Sequence, residues 1–79
     1  MTELSKRAVA DLEALPETLR AKAETLISRL SEEPALGKKL KGKLAGKRSM
    51  WLGRTHRIIY IAEPSVFVLT VVQRKDAYR

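Results

Sequence analysis

Basic residues stand at both ends of an apolar segment in the last third of the chain. Arg57 comes just before an apolar run at residues 58–61, and Arg74 and Tyr78 lie in the segment 73–79 (QRKDAYR). An arginine at the start of a buried strand is costly unless its guanidinium reaches water or an anion. Arginine binds phosphate bidentately and neutralises charge in a transition state, and a tyrosine can stack on a base or carry a proton. These residue types indicate chemistry on a polyanion.

The charge balance of the whole chain supports that interpretation. The formal net charge is +7 and the isoelectric point is about 10.2, so the chain attracts polyanions over long range. Nucleic acid and an acidic protein both fit. An anionic membrane fits least, because the most basic stretch does not form an amphipathic helix with aromatic anchors. We therefore expect no membrane partner.

Length and composition limit the possible classes of protein. The 79 residues predict a single domain over residues 1–79. The absence of cysteine excludes disulfides, thiol nucleophiles and cysteine zinc sites, and it favours a cytoplasmic location. The start of the chain has no apolar signal-peptide core. A Gly-rich phosphate loop, a Ser/His/Asp set and paired carboxylates are also missing, so the sequence predicts no cofactor and no metal.

The first half of the chain predicts a helical hairpin. Ser5 is a plausible N-cap, and Pro16 ends the first helix and opens the second. Apolar residues then recur with a period near 3.6 until Pro34 ends the run. Residues 34–46 are a glycine- and lysine-rich connector that we interpret as a basic loop pinned by leucines.

From Lys47 onwards the apolar period changes to two, which is typical of strands. Met50 and Leu52 alternate with Ser49 and Trp51, so we expect Trp51 to face away from the core. Short turns between adjacent strands predict antiparallel pairing. The predicted fold class is α+β, a helical hairpin packed on a small antiparallel sheet. The predicted core residues are Leu12, Leu15, Leu19, Leu26, Ile27, Leu30, Ile59, Ile61, Val68 and Leu69.

Four segments of this chain resemble the RelE/ParE superfamily of toxins from type II toxin–antitoxin systems. They are residues 5–16, residues 40–46 (LKGKLAG), residues 52–60 (LGRTHRIIY) and residues 73–79 (QRKDAYR). Each is weak alone, but together they span nearly the whole chain in the order of the family. RelE-like members are ribosome-dependent mRNA endonucleases that act without metal, whereas ParE-like members poison DNA gyrase.

The resemblance implies specific roles for basic residues. A RelE-like site corresponds here to the catalytic residues Arg57, Arg74, Tyr78 and Lys47. The expected RNA-binding residues are Lys41, Lys43, Arg48, Arg54, Lys75 and Arg79. Trp51 is an expected partner-contact residue, because an exposed tryptophan indicates contact with an antitoxin, a second copy or a base. His56 is the only histidine, and alternation points it away from Arg57, so a direct role is not expected.

Two positions depart from the family pattern. Trp51 and Ser49 stand where many relatives have basic residues, and both changes remove positive charge from the strand expected to hold the scissile phosphate. The expected partners are an acidic antitoxin, the ribosome and mRNA and, through the antitoxin, operator DNA. Three functions stay open: an mRNA endonuclease, a gyrase poison without nuclease activity, and a weakened toxin retained for antitoxin binding and autoregulation.

Overall fold

The structure is a computed structural model that describes residues 2–63 and 65–73. The described residues form two α-helices, one 3-10 helix and five strands. In chain order these are β1 (Glu3–Leu4), α1 (Lys6–Glu13), α2 (Glu17–Leu30), β2 (Lys38–Lys39), the 3-10 helix (Gly42–Leu44), β3 (Arg48–Leu52), β4 (His56–Ile61) and β5 (Phe67–Gln73).

Side-chain hydrogen bonds fix both the start of α1 and the turn between α1 and α2. Ser5 has extended backbone, and its hydroxyl accepts a hydrogen bond from the Ala8 amide at 2.9 Å, which begins α1. Arg20 of α2 reaches back and donates to the carbonyls of Leu12, Glu13 and Leu15 at 3.2, 3.0 and 3.3 Å. The Glu13 and Leu15 carbonyls lie at and just beyond the end of α1, where carbonyls lack intrahelical partners, whereas the Leu12 carbonyl also accepts from the Leu15 amide at 3.1 Å. Arg20 therefore fixes the angle between the helices.

The sheet is mixed rather than purely antiparallel. Within the described part of the chain its strand order is β1-β5-β4-β3-β2. The predicted antiparallel meander is confirmed for β3, β4 and β5. The structure adds β1, which pairs in parallel with β5, and β2, which pairs antiparallel with β3. Two-residue strands carry too few side chains to produce a sequence pattern, which is why β1 and β2 are not evident from the sequence.

The core lies between the helices and one face of the sheet. Leu12, Leu15, Ile27, Leu30 and Val68 are buried there as predicted. Leu19 and Leu26 are partly buried and pack against this core. The sheet contributes Met50, Leu52, Ile58, Tyr60, Val68 and Val71, and Val66 joins them from just before β5.

The prediction of which β4 residues face the core was wrong. Ile58 and Tyr60 are fully buried in the core, so Ile59 and Ile61 point to the opposite face. Ile59 is nevertheless buried, whereas Ile61 is half-buried. An uninterrupted apolar run has no alternation, and the sequence therefore could not indicate which residues point inward.

Leu69 is also misplaced by the prediction, because a β-bulge interrupts the pairing of β4 with β5. Ile59 lies opposite Thr70 and Tyr60 lies opposite Val68, which leaves Leu69 as the extra residue. Leu69 is half-buried, and Val71 takes a core position instead. A bulge shifts the inward-facing set by one residue, which simple alternation does not anticipate.

Tyr60 anchors the segment that follows α2. Its hydroxyl donates to the Pro34 carbonyl at 2.9 Å and accepts from the Gly37 amide at 2.7 Å. Arg48 donates to the Gly37 carbonyl at 2.9 Å. A Cβ at residue 37 would lie 2.7 Å from Tyr60 and from the Ser49 carbonyl oxygen, so the close approach requires glycine. These contacts fix the start of the basic connector against the sheet.

Candidate nucleic-acid interface

The face of the sheet turned away from the helices holds the predicted catalytic arginine. We call this the outer face and define it by Ser49, Trp51, Arg57, Ile59 and Val72. Register places Trp51 and Val72 directly opposite Arg57 on its two neighbouring strands. Directly opposed residues point to the same side of a sheet, so Arg57 stands between Trp51 and Val72.

Arg57 is stacked on Trp51. The guanidinium carbon lies 4.1 Å from the centre of the indole ring, well within the range of a cation–π contact. Such a contact contributes about 0.5–2 kcal/mol, and more as the cation loses water. Arg57 is half-buried, whereas Trp51 is 47% exposed. The expectation that Trp51 faces away from the core is thus confirmed, and the guanidinium of Arg57 lies over its ring.

Ser49 occupies the next position along the outer face. It lies between Ile59 on β4 and Lys38 on β2 and is buried. A short neutral side chain at this point leaves the strip of β3 beside Arg57 without positive charge. The described part of the outer face therefore has the arginine but not a basic residue on β3 next to it.

Lys47 lies far along the sheet from Arg57. It precedes Ser49 by two residues and Trp51 by four, so its backbone is about 13 Å from Trp51 along the strand. Its amide donates to Leu44 and its carbonyl accepts from Leu40, both at 3.0 Å. Lys47 instead lines a separate pocket together with Lys39, Arg48 and Glu63. The structure does not bring Lys47 and Arg57 together.

The residues predicted to bind RNA fall into three groups. Lys41 and Lys43 are exposed at the 3-10 helix, and Arg54 is exposed in the turn between β3 and β4. Arg48 is half-buried and uses one guanidinium nitrogen on the Gly37 carbonyl. The remaining predicted site residues lie outside the described residues; they are Arg74, Lys75, Tyr78 and Arg79.

His56 and Asp11 have local structural partners. His56 is half-buried, and its Nδ1 lies 2.7 Å from the Thr55 hydroxyl. The Asp11 carboxylate accepts from the Thr70 hydroxyl at 2.7 Å and from the Val71 amide at 3.0 Å. The Asp11 carboxylate thereby hydrogen-bonds the edge of β5 just beyond the residues that pair with β1.

The sequence analysis missed this role of Asp11. Burial opposes ionisation of its carboxyl group, but the hydrogen bonds from Thr70 and Val71, with the nearby Arg7, outweigh it and lower the pKa of Asp11 below its usual value. A signal was present in the sequence. Asp11 is adjacent to Leu12 and three residues after Ala8, both buried, so it borders the buried side of α1.

Comparison with known proteins identifies the family. Residues 2–78 match the family described as the ParE toxin of type II toxin–antitoxin systems, parDE. The chain belongs to this family. It is a toxin of the RelE/ParE superfamily. No match to a curated protein was found.

Solved structures of related toxins share the fold of this RelE/ParE toxin. One is the RelBE2 toxin–antitoxin complex from Mycobacterium tuberculosis, with 32% identity, coverage of 94% of this chain and 96% of that chain, and a TM-score of 0.83. Another is the RelB–RelE antitoxin–toxin complex from Methanococcus jannaschii, with 22% identity, coverage of 98% and 95%, and a TM-score of 0.79. The isolated RelE toxin of E. coli has 20% identity, coverage of 92% and 82%, and a TM-score of 0.77. The last two show likeness of fold alone.

Two searches of the described residues gave negative results. Neither α1 nor α2 is long and apolar enough to cross a bilayer. Residues 2–63 and 65–73 contain no group of three His, Asp or Glu side chains that could hold a metal ion.

Proposed function

We propose that this toxin is a ribosome-dependent mRNA endonuclease that inhibits translation. The observation that carries the proposal is Arg57, which is held half-buried on the outer face with its guanidinium stacked on Trp51. A guanidinium that is already oriented presents its in-plane N–H donors to a phosphate with little further loss of entropy. The high positive charge of the chain attracts RNA to this face.

The proposed reaction is an in-line transfer within RNA. The ribose 2′-oxygen attacks the adjacent phosphorus as its proton leaves, and the bond from phosphorus to the 5′-oxygen of the next nucleotide breaks. A 2′,3′-cyclic phosphate forms, and the leaving 5′-oxygen takes up a proton. Arg57 and Arg74 stabilise the negative charge that develops on the phosphoryl oxygens. Tyr78 assists orientation or proton transfer, and the ribosome supplies the remaining geometry.

We assign Lys47 a different role in the reaction from the catalytic role that the resemblance implies. Its separation from Arg57 along β3 favours contact with the RNA backbone over contact with the scissile phosphate. The pocket that it shares with Lys39 and Arg48 has the charge to bind a phosphate of the same strand. Lys41, Lys43 and Arg54 extend this positive surface through their exposed side chains.

We further propose that an acidic antitoxin inhibits the toxin. Related toxins have been solved as complexes with antitoxins, among them RelBE2 and the complex from Methanococcus jannaschii. A net charge of +7 favours a partner of opposite charge, since complementary potentials accelerate association.

A second candidate function is a gyrase poison without nuclease activity. Two observations favour it: the matched family carries the ParE description, and Ser49 and Trp51 replace positive charge on β3. A toxin that only binds its target does not need a complete set of transition-state contacts.

Induced expression separates these functions. An mRNA endonuclease produces cuts at fixed codon positions, which primer extension maps on translated messages. A gyrase poison produces trapped gyrase–DNA breaks and leaves messages intact, and a weakened toxin permits normal growth. Arg57→Ala should abolish the cuts. Arg7→Ala is the matched control, because it removes an exposed arginine of α1 and should retain them.

A further inference from the structure

Arg57 lies over the ring of Trp51, but much of Trp51 remains exposed. Arg57 lies against one face of the indole at 4.1 Å, yet 47% of Trp51 remains exposed. The other large exposed apolar residues of the described chain are Leu4 and Val9. They belong to β1 and α1, and β1 is separated from β3 by β5 and β4. Trp51 is therefore remote from them.

We propose that the exposed indole face of Trp51 is a stacking platform for an unpaired nucleobase of single-stranded RNA, next to the phosphate that Arg57 binds. This inference rests on the proposed nuclease function and states how the substrate is held there. A base stacked on Trp51 would place the indole between a cation and a second aromatic plane. Both contacts use the ring faces, so the base and the guanidinium would lie on opposite sides of the indole.

The surroundings of Trp51 favour RNA over an apolar protein segment. The turn after β3 carries Arg54, and β2 carries Lys38, whose side chains are both exposed. Protein interfaces bury contiguous apolar patches that are depleted of charge at their centre. Trp51 lines a groove that also contains apolar side chains, but its ring lies against Arg57 and the groove carries Arg29 and Lys38. An aromatic ring in a positively charged groove is typical of proteins that bind single strands.

The groove beside Trp51 offers an alternative binding site, for an apolar side chain of a partner protein. The groove runs between α2 and β3, where Leu26, Leu36 and Met50 line it together with Arg29 and Lys38. An apolar side chain of a partner protein would fit there, and Trp51 would then form part of a protein interface. This occupant is an outcome of the test below.

Base stacking predicts a particular dependence on ligand chemistry. Every base offers an aromatic face, so sequence preference should be weak and should favour the larger purines. Removal of the bases should weaken binding even when the number of phosphates is unchanged. By alanine substitution at other proteins, one stacked base corresponds to roughly a 5- to 150-fold change in affinity.

Trp51 is the only tryptophan of the chain, so its intrinsic fluorescence reports on this ring alone. Purified toxin is titrated with short 2′-O-methyl RNA, which lacks the nucleophilic hydroxyl and cannot be cut. An abasic ribose–phosphate oligomer of equal length is the matched ligand. We expect saturable quenching by the base-containing RNA, and an affinity for the abasic oligomer that is weaker by roughly 5-fold or more.

Variants make the interpretation specific. Binding of labelled RNA, followed by anisotropy, should lose its dependence on bases in Trp51→Leu and keep it in Trp51→Phe and in Arg7→Ala, which removes an exposed arginine of α1. Equal affinity of wild type for both ligands, or binding without quenching, overturns the inference. Quenching by an antitoxin but not by RNA also overturns it and assigns Trp51 to the protein interface.

The test of the stacking platform can be interpreted separately from the test of the proposed nuclease function. Cleavage that depends on Arg57, with RNA binding that is indifferent to bases, overturns the platform alone. Base-dependent quenching without any cleavage on ribosomes supports the platform and removes the nuclease proposal.

Discussion

At the scale of single residues, the outer face of β3 carries little positive charge. Trp51 and Ser49 both lie there next to Arg57, and neither side chain is charged. The ring of Trp51 lies against the guanidinium of Arg57, but it adds no positive charge of its own to this face.

Trp51→Arg should raise the rate of cleavage. A donor that acts only in the transition state contributes about 100- to 1000-fold in rate, so a gain on the order of a hundredfold is expected if the new guanidinium reaches the phosphate. Single-turnover cleavage of mRNA on programmed ribosomes measures it. If cleavage is unchanged by Trp51→Arg and Trp51→Ala weakens antitoxin binding, then our placement of the cleft is wrong.

Asp11 predicts a pH dependence of stability. Because its pKa is lowered in the folded state, the ionised carboxylate contributes stability above its unfolded pKa of about 3.9. That contribution is lost as the pH falls through the lower folded pKa. Asp11→Ala should cost about 1–3 kcal/mol at neutral pH, the usual range for hydrogen bonds to a charged group. It should also reduce the acid dependence of unfolding.

Arg7→Ala is the control for Asp11. Arg7 is 3.3 Å from the carboxylate, but its side chain is 75% exposed, so its loss should change stability by less than about 1 kcal/mol. Urea unfolding of both variants at neutral and acidic pH tests the comparison. A larger effect of Arg7→Ala than of Asp11→Ala would contradict the assignment of Asp11 as the edge cap of β5.

At the scale of elements, the connection from α2 to β2 depends on Tyr60. This side chain is fully buried, and its hydroxyl is paired at both its donor and acceptor positions. Through Gly37, it determines where the basic connector leaves the sheet. The positive surface of Lys41 and Lys43 therefore depends on a core residue for its position.

Tyr60→Phe should destabilise the toxin by about 1–3 kcal/mol, because it leaves the buried Gly37 amide without its hydrogen-bond partner. Thr25→Val is a suitable control, since the Thr25 hydroxyl donates to Ala21 on an exposed helix surface. Urea denaturation measures both. A loss in Tyr60→Phe no greater than in Thr25→Val would show that the buried hydroxyl contributes little.

Much of this architecture could be predicted from local patterns. Ser5, Pro16 and the apolar stripe of α2 are local signals, and each predicted its element correctly. The faces of β4 and β5 could not be predicted, since residues 58–61 are uniformly apolar and the bulge at Leu69 depends on pairing with another strand. Within the site, Arg57 and Trp51 were found from their types, but their stacking depends on the register between β3 and β4. The roles of Asp11, Arg48 and Gly37 depend on contacts between distant segments.

At the scale of the whole molecule, the charge of +7 determines how partners approach. Steered association slows as salt screens the attraction, with a Debye length of about 10 Å at 0.1 M ionic strength. Electrostatic steering acts mainly on the association rate and much less on dissociation.

The association rate of toxin and antitoxin should therefore fall with increasing salt, while the dissociation rate changes little. Stopped-flow measurements across a salt series test this expectation, with the fluorescence of Trp51 or a label on the antitoxin as signal. An association rate that is independent of salt would rule out steering by the basic surface.

The pairing of β1 with β5 has a consequence for synthesis of the toxin. The Ser5 hydroxyl donates a hydrogen bond to the Leu69 carbonyl, and Glu3 and Leu4 pair with Phe67 and Val68. The strand β1 therefore cannot pair until β5 has been synthesised. A nascent chain that stops before Phe67 has helices but leaves β4 with one neighbour and α1 without the strand on which it packs. Until β5 has been synthesised, the sheet is therefore incomplete, and Val72 is absent from its place beside Arg57 on the outer face.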